Sequence, residues 1–93
     1  MHEDYVYAAP NPMRGHRGNI YFDLAVPAAV ELKIFTPHNQ LVISKNWDCL
    51  PAGKNYWSWH TANLANGVYI LRIKARDDSG KTTVVIKKLA LVK

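Results

Sequence analysis

The stretch Val68 to Lys93, VYILRIKARDDSGKTTVVIKKLALVK, decides the fold. In Val68 to Arg76 the apolar Tyr69, Leu71 and Ile73 alternate with the charged Arg72, Lys74 and Arg76, the period of a half-buried strand. Thr82 to Val92 is rich in β-branched residues and reads as a second strand. Asp77-Asp78-Ser79-Gly80 lies between them and supplies turn chemistry, so the segment is expected to be a hairpin. Its last strand carries a conflict of phase. Val84 and Ile86 share one parity and Leu89 and Leu91 the other, and a β-bulge near Lys87-Lys88 would reconcile them.

The same stretch contains ARDDSGKT, Ala75 to Thr82, which satisfies a loose phosphate-loop pattern. A phosphate loop must lead into a helix whose first amides cradle the anion, whereas Thr82 to Ile86 is a run of strand formers. Asp77 and Asp78 would repel phosphate as well, so a hairpin turn with Gly80 at positive φ is the reading adopted.

Upstream, similar alternation recurs between turn signals. Tyr5 to Ala9 is the first candidate strand, ended by Pro10-Asn11-Pro12. Asn19 to Val26 puts Ile20, Phe22, Leu24 and Val26 on one face, and Val30 to Thr36 does the same with Val30, Leu32 and Ile34. Leu41 to Asn46 is the returning partner, Trp47 to Gly53 a loop, and Lys54 to Trp59 a strand with Trp57 and Trp59 sharing a face. A polar turn region, His60 to Gly67, then leads into the terminal hairpin. The expected architecture is all-β: a seven-stranded antiparallel β-sandwich of the immunoglobulin or fibronectin III kind, with both indoles between the sheets.

At 93 residues and 48% hydrophobic content the chain supports one core, so residues 1–93 are expected to be a single domain. No run approaches the length of a membrane-spanning helix, and Met1-His2-Glu3-Asp4 does not begin an export signal, which decides nothing, since a domain cut from a longer precursor would have left its signal at the precursor's own N-terminus. The lone Cys49 excludes an internal disulfide and is expected to be buried. His2, His16, His38 and His60 lie in separate segments without metal-ligand spacing, and no nucleophile or acid–base pair is evident. No enzyme activity and no cofactor are therefore expected.

The net charge of +5 is concentrated toward the end, in Arg72, Lys74, Arg76, Lys81, Lys87, Lys88 and Lys93. Such a bias suits an anionic partner such as a cell-surface polysaccharide. Nucleic acid is not expected. Trp47, placed in a loop, is the aromatic left available for ligand contact.

Several fragments together resemble bacterial C-terminal immunoglobulin-like domains, the group that includes the flagellar hook-capping domain and the type IX secretion sorting domains. Tyr7-Ala8-Ala9-Pro10-Asn11-Pro12 resembles the family's Tyr-Pro-Asn-Pro opening, and Leu50-Pro51-Ala52-Gly53 its approach to a tryptophan strand, where Trp59 matches. Leu64-Ala65-Asn66-Gly67-Val68-Tyr69 is similar to its Leu-x-x-Gly-Val-Tyr turn, and Lys87 to Lys93 to its basic terminal strand. The chain departs from the pattern at Trp59-His60-Thr61, where the family has Trp-Asp-Gly.

The resemblance implies a non-catalytic module of an exported bacterial protein, secreted or on the outer surface, read by secretion machinery. It nominates Pro10, Asn11, Pro12, Gly67, Tyr69, Lys87, Lys88 and Lys93 as recognition residues. Two alternatives remain: a spacer beside the parent's other domains, or a carbohydrate- or nucleic-acid-binding module.

Overall fold

The computed structural model describes residues 6–9, 13–14, 17–61 and 64–92. Among the described residues eight strands run in chain order: β1 Val6–Ala9, β2 Met13–Arg14, β3 Arg17–Leu24, β4 Ala28–Phe35, β5 Leu41–Leu50, β6 Gly53–His60, β7 Gly67–Asp77 and β8 Thr82–Val92. They form two sheets, one of three strands in the order β1-β3-β6 and one of five in the order β2-β8-β7-β4-β5. The all-β, two-sheet expectation is met, with a different strand inventory. Six strands are long, whereas β1 has four residues and β2 two, and β2 runs parallel to the end of β8.

Alternation in the sequence becomes the two inner faces. Ile20, Phe22 and Leu24 of β3 and Trp59 of β6 face Val30, Leu32 and Ile34 of β4, Tyr69, Leu71 and Ile73 of β7, and Leu89 and Leu91 of β8, all buried. Each such side chain contributes about 1.5–3 kcal/mol by leaving water. The indoles divide unequally. Trp59 is 1% exposed, whereas Trp57 is partly buried and packs against the core.

Two boundaries and one burial differ from the sequence expectation. Val26 does not continue the buried face of β3: the strand stops at Leu24, and Val26 stands 48% exposed in the following bend. Trp47 is not in a loop, because β5 continues through Leu50 and pairs Trp47 with Val30. The extension is possible because β5 is an edge strand that tolerates two register shifts, between Ala28 and Val30 and between Ile34 and Phe35. Cys49, in the same stretch, is exposed rather than buried.

The terminal hairpin also resolves its phase conflict differently. Its pairing with β7 is unbroken from Gly67↔Leu91 to Arg76↔Thr82, so there is no bulge near Lys87-Lys88. Val85, Leu89 and Leu91 take the inner side opposite Ile73, Tyr69 and Gly67, and Lys87, opposite the buried Leu71, keeps the phase as a half-buried residue. Val84 and Ile86 are consequently turned outward.

Candidate recognition surface on the terminal hairpin

The chain changes sheet from β2 to β3, from β3 to β4, from β5 to β6 and from β6 to β7, and also between β1 and β2. Pro10, Asn11 and Pro12 fall in that last change and lie outside the described residues, as does Lys93. The flanking elements are described: Ala9 pairs with Asn19 in the smaller sheet, and Met13 with Leu91 in the larger. The Met13 side of the proline stretch is thereby brought beside the end of β8.

Gly67, Tyr69, Lys87 and Lys88 come together on one hairpin. Gly67 begins β7 at φ 152°, a conformation that disfavours a β-carbon, and sits opposite Leu91. Two residues on, Tyr69 is buried, and its hydroxyl donates to the Ala65 carbonyl at 2.7 Å. Its ring meets Trp59 edge-on, with centroids 5.7 Å apart and planes at 84°. These two residues shape the approach to the hairpin. Lys88 is exposed opposite Ile70, and Lys87 is half-buried opposite Leu71.

The distal turn is held by one carboxylate. Asp77 Oδ1 accepts from the Ser79 amide at 3.0 Å, the Ser79 hydroxyl at 2.6 Å and the Lys81 amide at 3.0 Å. The Ser79 hydroxyl, foremost among these contacts, holds the Asp77 carboxyl below the usual aspartate range. Gly80 follows at φ 85°, and its amide donates to the Asp77 carbonyl at 3.0 Å. ARDDSGKT is thus a strand-to-strand turn that presents an aspartate where a phosphate loop would present amides.

On the outer face of the larger sheet, Arg72, Lys74 and Arg76 project side by side from β7, and among the described residues none has an ion-pair partner. Lys33, across from Arg72 on β4, is 3.5 Å from Glu31. A shallow depression of about 410 Å³ lies here, with Glu31, Asn46, Asp48, Lys74 and Arg76 in its lining. Trp47 also lines it, and its ring lies 6.0 Å from that of Phe22 in the opposite sheet.

The sequence reading missed a second feature of this surface. Val84 and Ile86, 45% and 60% exposed, form an apolar pair on β8 beside the cations of β7. Counting parity backward from Leu89 and Leu91 would have found it.

The smaller sheet presents a polar outer face. Ser58 Oγ donates to Asn19 Oδ1 at 2.8 Å, Asn19 Nδ2 donates to the Tyr21 hydroxyl at 3.1 Å, and Tyr21 and Tyr56 are 5.9 Å apart. Among the described residues no group of three acidic, histidine or cysteine side chains could hold a metal ion, and no helix is long and apolar enough to cross a membrane.

No curated protein matches the chain. Among solved structures it is similar to the soluble domain of PmoD from Methylocystis sp., with 20% identity over 86% of this chain and 76% of that one, at a TM-score of 0.54. That likeness concerns the fold. The family model described as "Secretion system C-terminal sorting domain" matches residues 6–87, from the first residue of β1 into β8. Sorting domains of this kind, which serve type IX secretion, are not a catalytic family. They mark larger precursors for export to the cell surface or beyond. With its sandwich, its tyrosine-anchored turn and its hairpin as far as Lys87 inside the match, the chain belongs to the secretion system C-terminal sorting domains.

Proposed function

We propose that the chain is a non-catalytic sorting module that presents its terminal hairpin to the secretion machinery and directs attachment of the exported protein to the cell surface. The family match from β1 into β8 is the observation that carries this reading. The described strand order, with β2-β8-β7-β4-β5 facing β1-β3-β6, supports an immunoglobulin-like sandwich in which the hairpin is a fixed element. Lys87 and Lys88 supply the cationic part of the recognised surface, with Lys93 and Pro10-Asn11-Pro12 as further contacts. Gly67 and Tyr69 hold the hairpin at its angle, and Arg72, Lys74 and Arg76, without an ion-pair partner among the described residues, support contact with an anionic surface polysaccharide.

Fusion of residues 1–93 to a periplasmic reporter in a bacterium with type IX secretion tests the proposal. Export of the reporter is expected, and attachment is read by protease shaving of intact cells. Retention of a folded fusion in the periplasm overturns the sorting role. It would return the module to a spacer between neighbouring domains, a role for which the closed core of the sandwich suffices.

A further inference from the structure

The edges of the larger sheet are built unequally. β5 is an edge broken by two register shifts, which twist it away from regular pairing. On the other side β2 covers only Leu91 and Val92, so among the described residues Thr82 to Ala90 has no strand on its outer flank. That flank belongs to a strand whose register with β7 has no break, and it bears the exposed Val84 and Ile86. A regular, partly apolar, uncovered edge is a template for another strand.

Charge decides which strand. β8 carries Lys87 and Lys88 with no carboxylate from Thr82 to Val92, while Asp77 and Asp78 lie beside Lys81 in the turn, beyond its Thr82 end. Two copies meeting at this edge would bring lysines toward lysines, and Lys87, half-buried on the inner side between Val85 and Leu89, would have to be covered uncompensated. An incoming strand with carboxylates opposite Lys87 and Lys88 would neutralise both, while apolar residues opposite Val84 and Ile86 would remove their exposed surface from water. The same lysines therefore oppose self-pairing and favour an acidic guest.

We infer that the outer edge of β8, from Thr82 to Lys88, is a strand-addition site for an extended acidic segment of a partner protein. This deepens the sorting reading above and rests on it only for the identity of the partner.

The test uses the full chain and a blocked octapeptide in which two glutamates precede alternating valine and threonine, an order that places the acids opposite Lys88 and Lys87 in antiparallel pairing. Nuclear magnetic resonance is expected to show amide shifts and slowed hydrogen exchange confined to residues 82–88. A peptide with two lysines in place of the glutamates is expected to bind about tenfold or more weakly. Lys88→Glu, at an exposed position, should reverse that preference, and Lys87→Gln should weaken glutamate-peptide binding without reversing it.

Shifts centred on β5 or β6, equal binding of both peptides, or no shift at millimolar peptide would overturn the inference. So would dimerisation of the unmodified chain through β8 in sedimentation. An edge that takes no peptide in a chain that still directs export removes the edge site and leaves the sorting role. Peptide binding by a chain that directs no export does the reverse.

Discussion

The Tyr69 hydroxyl donates to the Ala65 carbonyl at 2.7 Å, four residues back along the chain, and so ties the segment leading out of β6 to the strand that follows it. The bond closes a corner on the edge-on contact between Tyr69 and Trp59. Tyr69→Phe removes the donor and keeps the ring, and is expected to cost about 1 kcal/mol. Tyr69→Ala also removes the aromatic packing, and about 3–5 kcal/mol is expected. Urea unfolding of both variants checks the difference.

The unbroken register of β7 with β8 predicts opposite outcomes at neighbouring positions. Leu89→Ala empties a buried site and should destabilise by about 2–4 kcal/mol, whereas Ile86→Ala on the outer face should change stability by no more than about 0.5 kcal/mol. A bulge at Lys87-Lys88 that turned Ile86 inward would instead make both substitutions costly in the same thermal or urea measurement.

The turn aspartate gives a pH dependence. The carboxyl of Asp77 is more acidic in the folded chain than in the unfolded one, so its ionised form favours folding above the ordinary aspartate pKa. That contribution is lost as pH falls through the lowered folded value. The unmodified chain should therefore melt higher than Asp77→Asn at pH 6, with the gap closing as pH falls below the ordinary aspartate value of about 4. Melting curves across that range measure it.

Trp47 is expected to behave as a packing residue. Its ring rests against Phe22 across the sandwich, and Trp47→Ala should cost about 2–3 kcal/mol. Trp47→Phe should cost about 1 kcal/mol. Urea titration of the two variants decides between this role and that of a free ligand platform, for which both substitutions would be near neutral.

Where alternation was regular, as in Ile20 to Leu24 and Val30 to Ile34, the inner face was legible directly. The turn at Asp77 to Gly80 was legible from its chemistry. Other features were set by partners that local periodicity does not show. Trp47 is in a strand because β4 continues beside it, and β2 is two residues long and exists through pairing with Leu91 and Val92. The parity of β8 depended on Lys87 taking an inner position, which hydropathy assigns to the outside. Of the candidate surface, the turn into β7 was legible from the Leu64 to Tyr69 motif. The apolar pair Val84 and Ile86 was hidden by the assumed bulge.

The smaller sheet, β1-β3-β6, contains no two strands that are consecutive in the chain. Both short-range hairpins, β4 with β5 and β7 with β8, belong to the larger one. Closing a long loop costs more entropy than closing a short turn, so the hairpins are the cheaper structures to form early and the pairing of β3 with β6, distant in the chain, is expected to complete the small layer later. Until it does, the apolar side of the hairpins has no lid of β3 and β6, and a newly made chain must keep that surface from sticking elsewhere.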